Sequence, residues 1–254
     1  MKNEYTWRAY LKEEEAHAFT GWDFSYLDGR MRDDRLPWSY RAKLADFLKP
    51  DTKLLDMGTG GGEFLLSLNH PYQLTSVTEG YEPNYRLCKQ RLHPLGISVH
   101  KYEGEGLFSF GDEEFHVVIN RHENFNLSEV FRVLKPNGFF ITQQVGGRNN
   151  DSLAQRVIPN FSPSMPDFNL ENQLPAFKKA GFRIMYRNQS YPRTYFSDIG
   201  AVCYYMKILP WEFPGFSVDS CFEGLMKLQA EIEEHGEVET DSQRFILIAK
   251  KEIK

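Results

Sequence analysis

With 254 residues, 41% of them hydrophobic and 15% aromatic, the chain can bury a full core and is short enough for one domain with decorations. A formal charge of −5 and a pI near 5.8 exclude any overall attraction to nucleic acid and leave only a local basic patch to supply one. No stretch approaches the roughly 18 apolar residues of a membrane span, MKNEYTWRAYLKEEE lacks an apolar signal region, and Cys88, Cys203 and Cys221 are odd in number without metal-ligand spacing, which points to a cytoplasmic protein with reduced thiols, no metal and no membrane contact.

The chain opens with an aromatic-rich lead-in over residues 1–49. Its middle, GWDFSYLDGRMRDDRLPWSY, carries little helical or strand period and several turn formers, and reads as an ordered loop or lid. Trp22, Tyr26, Arg30 and Trp38 are its candidate substrate or lid residues, with an aromatic cluster that merely pins the segment down as the competing reading. WSYRAKLADFL (38–48) then has apolar residues at helical spacing and stops at Lys49-Pro50.

Lys53 to Phe64, KLLDMGTGGGEF, reads as strand, glycine turn and helix. Glycines suit a tight turn that a ligand must approach along bare backbone, and the helix start that follows offers unpaired N–H groups. A dinucleotide fingerprint beginning at Gly58 would need glycine at position 63, where Glu63 stands. The pattern Asp56-x-Gly58-x-Gly60-x-Gly62 instead resembles motif I of the class I S-adenosylmethionine (SAM) dependent methyltransferases, of the small-molecule, type 11-like group.

QLTSVTE (73–79) reads as the second strand and residues 83–92 as the next helix. Glu79 follows Asp56 by about 20 residues, the interval at which α/β cofactor folds place the acid that takes ribose hydroxyls. ISVHKYE (97–103) is the third strand. The resemblance implies an adenine contact from Glu103 and the neighbouring Gly104. FHVVIN (115–120) is the fourth strand, and its end, Asn120-Arg121-His122-Glu123, should border the ligand because open α/β sheets bind at the carboxyl ends of strands. The D/N-P-P-F/Y tetrad of the family's amino-methylating DNA branch is missing there. His122 and Glu123 are the candidate proton acceptors, although a packing role competes for His122.

VLKPNGFFI (133–141) adds a second likeness, to the K-P-G-G turn that the family places before its fifth strand, here FFITQQV (139–145). Beyond it, QQVGGRNN puts Gln144 toward the cleft, residues 170–180 read as a helix, 182–190 as the sixth strand and 244–250 as the closing strand. The resemblance covers about residues 50–145. It implies an α/β, Rossmann-like fold: a seven-stranded, mostly parallel sheet flanked by helices, with an antiparallel last strand.

The division expected is a lid over 1–49 and a SAM-binding domain over 50–254, with an insertion at about 195–240 that builds a substrate pocket or an apolar interface. The resemblance further implies SAM as cofactor, held by Asp56, Gly58, Gly60, Gly62, Glu79, Glu103, Gly104, Asn120 and Arg121, in a methyltransferase acting on a small molecule. Three other readings stay open: an RNA-base methyltransferase if Arg30, Arg32, Arg35 and Arg41 form one patch, a SAM-binding regulator without catalysis, and an NAD-dependent oxidoreductase. Monomer and homodimer are both compatible with the sequence.

Overall fold

The computed structural model describes residues 3–19, 22–102 and 106–252. In chain order the elements are α1 (Glu4–Ala16), β1 (Met31–Asp33), α2 (Tyr40–Ala45), β2 (Leu54–Met57), α3 (Glu63–Ser67), β3 (Thr75–Glu79), α4 (Glu82–Arg91), β4 (Ser98–Lys101), β5 (Phe115–Arg121), α5 (Leu127–Val133) and β6 (Leu134–Val145). They continue as α6 (Asp151–Val157), α7 (Leu170–Lys179), β7 (Phe182–Ser190), β8 (Arg193–Phe196), α8 (Ile199–Ile208), α9 (Val218–His235), β9 (Val238–Asp241) and β10 (Arg244–Lys251). Polar side chains set many of the helix starts: Asn3, Ser39, Asn126, Asn169, Asp198 and Ser217 each accept a backbone N–H from the first turn of the helix that follows.

The chain divides into two compact units. One, the sheet unit, comprises Pro37–Val145, Asn169–Gln189 and Phe245–Lys254. Its seven strands run in the order β4-β3-β2-β5-β6-β10-β7, with β2 to β6 parallel where they pair with one another and the last strand, β10, antiparallel. β2 and β3 are buried along their whole length, which is why they read as continuous apolar or small-residue runs rather than alternating ones. Strand order reverses between β2 and β5, so the carboxyl ends of these two strands flank the switch point of the sheet. On one side Phe140 of β6 stacks on Phe177 of α7 at 5.8 Å between ring centroids, with Phe125 and Phe182 edge-on or tilted around them.

The other, the helical unit, comprises Met1–Leu36, Gly146–Phe168 and Ser190–Arg244. α8 is buried on nearly every face, as its run IGAVCYYMKI requires, and α1 and α9 pack against it. A three-stranded antiparallel sheet, β1-β8-β9, completes this unit. The outline differs from a lid over 1–49 and a continuous domain after it: the lead-in up to Leu36 shares one core with the insertion, Leu11 and Leu27 packing among Ile199, Val202, Leu225 and Val238. The middle of the lead-in, expected as a loop, contains β1. Its polar sequence, MRD, hid the strand because β1 is an edge strand, half to fully exposed, held by backbone pairing to β8.

The K-P-N-G turn is present as a bulge inside β6. Phe115 pairs with Leu134 and Val117 with Phe139, so Lys135 to Gly138 loop out opposite His116 alone. Asn137 takes the left-handed conformation at φ 64°, and Gly138 is required for space, since a Cβ there would lie 2.9 Å from the Lys135 carbonyl oxygen.

Candidate cofactor site

The site is built at the switch point, from the loop that leaves β2. Gly58, Gly60 and Gly62 have φ of 65°, 62° and 81°, while Thr59 and Gly61 between them do not enter the left-handed region. This alternation explains the alternate glycines of the sequence. It curls the backbone back on itself, with the Gly60 N–H donating to Glu79 at 2.8 Å and the Gly62 N–H to the Thr59 carbonyl at 3.1 Å. Gly58 and Thr59 are tied to β3 by N–H donation to the Thr78 carbonyl at 3.0 and 3.2 Å. Gly62 caps α3 and lies so close to Leu92 that a Cβ would meet its methyls at 2.8–2.9 Å.

Glu79, at the end of β3, accepts the Gly60 N–H at 2.8 Å and the Tyr81 N–H at 2.9 Å. Burial raises its pKa, and these N–H groups oppose the rise. A carboxylate has about four lone-pair sites, so after these two bonds it can still accept from a vicinal diol. Asp56 is buried at the end of β2, and desolvation pushes its carboxyl up to about 7, against the lowering effect of the Thr59 hydroxyl and Arg121.

Opposite stands the carboxyl end of β5. Asn120 pairs with Met57 across the β2–β5 ladder and is fully buried. Its Oδ1 accepts from the Thr142 hydroxyl at 3.0 Å and from Gln144 Nε2 at 2.5 Å, but its Nδ2 has no partner among the described residues. The Arg121 guanidinium lies 4.3 Å over the Phe64 ring. His122 sits at φ 64°, unusual for a residue with a Cβ, donates its N–H to the Gln143 carbonyl at 2.9 Å and places Nε2 3.4 Å from the Gln143 amide. Glu123 lies directly on Gly58: a Cβ built there would be 2.5 Å from both Cβ and Cγ of Glu123. Loss of hydration over that loop, and then the charge of Glu79, raise the Glu123 pKa.

Sequence reasoning missed Tyr40 as a site residue. Its buried hydroxyl donates to the Asn120 and Ile141 carbonyls, both at 3.1 Å, and accepts the Asn120 N–H at 3.3 Å, bracing β5 against β6 where Asn120 must be held. Two residues earlier, Trp38 donates Nε1–H to Gln143 Oε1 at 2.8 Å. No local signal marks Tyr40, because its partners lie 80 or more positions away.

The structure thus brings together Asp56, Gly58, Gly60, Gly62, Glu79, Asn120, Arg121, His122, Glu123, Trp38 and Gln144 within the sheet unit. Glu103 and Gly104 fall outside the described residues. Trp22, Tyr26 and Arg30 belong to the helical unit and are engaged there. Trp22 stacks on Trp211 at 6.0 Å, Tyr26 donates its hydroxyl to Glu14, and Arg30 bridges Glu14 and Asp198 at 2.8 and 2.7 Å. Among the described residues no group of His, Cys, Asp and Glu could hold a metal ion, and no helix is long and apolar enough to cross a membrane.

A doubly wound sheet with a glycine cradle at its switch point, and an acid at the end of the next strand, defines a nucleotide-type cofactor domain. Residues 55–142 match the model of a family described as "Methyltransferase domain". The match spans about a third of the chain, and the seven-stranded order with its antiparallel last strand is the fold of the class I SAM-dependent methyltransferases. No curated protein matches the sequence of the chain. Solved structures share its fold. A putative methyltransferase from Bacillus halodurans C-125 is 17% identical, with a TM-score of 0.55 over 84% of this chain and 99% of the other. A putative sarcosine dimethylglycine methyltransferase from Galdieria sulphuraria is 16% identical, with a TM-score of 0.51 over 84% of each chain. The cyclase SpnF is 15% identical, with a TM-score of 0.55 over 96% of this chain and 90% of the other. At these identities the likeness is one of fold.

Proposed function

We propose that the chain binds SAM in the Gly58–Gly62 cradle and transfers its methyl group to a small-molecule acceptor. The observation that carries this reading is the alternation of left-handed glycines at the end of β2 with Gly60 hydrogen-bonded to Glu79, a glycine loop beside a carboxylate at the switch point of the sheet. The fit is supported by a buried polar atom without a partner among the described residues at the end of β5, Asn120 Nδ2, which a ligand with polar groups would satisfy. Glu63 at the third position of a dinucleotide fingerprint argues against NAD.

When bound, SAM supplies a methyl group on a positively charged sulfonium, whereas the spent cofactor, S-adenosylhomocysteine (SAH), carries a neutral thioether. The work left to the protein is to position the acceptor and exclude water. Glu79 accepts from the ribose, Asn120 donates from β5, and Tyr40 and Gln144 hold Asn120 in place. An acceptor that must lose a proton has His122 and Glu123 at the end of β5 to receive it.

A small acceptor is favoured over RNA because two arginines of the candidate basic patch are committed. Arg30 bridges Glu14 and Asp198, and Arg32 pairs with Glu237 at 2.6 Å while lying over Tyr195. Titration calorimetry with SAH, with NAD in parallel, tests the cofactor. Micromolar binding of SAH alone supports the reading, and binding of NAD instead, or of neither, overturns it. Screening small amines, hydroxyls and thiols against a tRNA pool with labelled SAM then tests the acceptor class.

A further inference from the structure

The placement of Glu123 is not explained by its being near the end of a strand. His122 adopts φ 64°, and the backbone is pinned on either side of this turn: the His122 N–H donates to the Gln143 carbonyl at 2.9 Å, and the Glu123 carbonyl accepts from Gln144 Nε2 at 3.1 Å. The pinned turn lays Glu123 along Gly58. Were Gly58 any other residue, its Cβ would stand 2.5 Å from the Glu123 Cβ and Cγ and 2.8 Å from Oε2. A left-handed non-glycine residue costs energy and persists only where the surroundings fix it. Here the fixed outcome is a carboxylate over the first glycine of the cradle.

Glu79 already occupies the same loop through Gly60. Two carboxylates therefore face five residues of backbone, and each raises the free energy of ionising the other. Glu79 is compensated by the N–H groups of Gly60 and Tyr81. Among the described residues the Glu123 carboxylate accepts from the N–H of its neighbour Asn124, at 3.2 Å. Among the described residues no lysine or arginine pairs with either acid; Arg121, next in the chain to His122, turns its guanidinium to the Phe64 ring instead. Such a pair lacks a positive charge; SAM and SAH share an α-ammonium, so the sulfonium, present in SAM alone, is the charge by which this pair would tell them apart.

The geometry points to Glu123 as the residue that makes the cradle select a cationic cofactor over its neutral counterpart. The inference rests on the cradle being the SAM site. It goes beyond that reading because it assigns the SAM-over-SAH preference to one side chain. One partly exposed contact between opposite charges is worth on the order of tenfold in affinity.

The test is calorimetry of the full chain with SAM and with SAH, for the natural protein and for Glu123→Gln. Glutamine keeps the shape and removes the charge, and with it the repulsion from Glu79, so a thermal midpoint that is unchanged or slightly raised is expected. The natural protein should bind SAM about tenfold more tightly than SAH, and Glu123→Gln should bring the ratio close to one, chiefly by weakening SAM. A ratio that is unaltered by the substitution, or SAH and SAM weakened equally, overturns the selective role while leaving the cofactor reading intact. Failure of the natural protein to bind either ligand overturns both.

Discussion

Glu79 Oε2 accepts the Gly60 N–H at 2.8 Å, so the acid at the end of β3 and the middle glycine of the loop after β2 hold each other in place before any ligand arrives. Glu79→Ala should therefore do two things at once. It removes the acceptor proposed for the ribose and frees the loop it steadies. A charge-assisted hydrogen bond of about 1.5–3 kcal/mol corresponds to a loss of at least tenfold in SAH affinity by calorimetry. A loss well under tenfold would exclude Glu79 from the ribose role.

Gly60 sits at φ 62°, where a β-branched side chain is a steric outlier. Gly60→Val should abolish measurable SAH binding while far-ultraviolet circular dichroism stays close to that of the natural protein, because the distortion is confined to a loop. Retained micromolar affinity would remove the glycine loop from the cofactor site.

Asp56 gives a pH prediction. Its carboxyl is pushed from an ordinary value of 3.8 up to about 7 by burial, so the folded state holds a proton that the unfolded state has already lost across that interval. The stabilisation from this protonated acid is fully present below about pH 4 and is lost as pH rises toward 7. Urea midpoints at pH 5 and pH 8 should fall further for the natural protein than for Asp56→Asn, which carries no titrating group. Equal falls would show that Asp56 does not titrate in this window.

Arg30 holds two carboxylates, Glu14 of α1 and Asp198 at the start of α8, and all three side chains are at least partly buried. Arg30→Met keeps much of the stem but leaves both acids without their partner. It should cost about 2–3 kcal/mol and lower the thermal midpoint of unfolding by several degrees. A change within 0.5 kcal/mol, the size typical of exposed substitutions, would mean the cluster is incidental.

Most of the sheet was legible because its signals are local. A buried parallel strand is a short apolar run, alternate glycines record alternate left-handed residues, and Lys-Pro-Asn-Gly records a bulge whose third residue is at φ 64°. Glu79 followed from an interval along the chain. Tyr40 did not, because nothing near it in sequence announces a hydroxyl that bonds to Asn120 and Ile141. For the same reason the helical unit was the least legible part. β1 is a polar edge strand whose partner is β8, and Trp22 and Arg30 meet Trp211 and Asp198, partners that nothing near them in sequence announces.

The Arg30–Asp198 pair spans 168 positions of sequence, and β1 finds its partner strand at a similar distance. During synthesis α1 and β1 leave the ribosome with their apolar faces, Leu11 and Leu27 among them, and wait through the making of the whole β2–β7 region before α8, α9 and β8 exist to cover them. Closing so long a loop is entropically slow, and the uncovered segment is a natural client for chaperones in the interval. Removing the first 36 residues would accordingly not trim a flap; it would strip an edge strand and a packing helix from a unit that is otherwise the last to be completed.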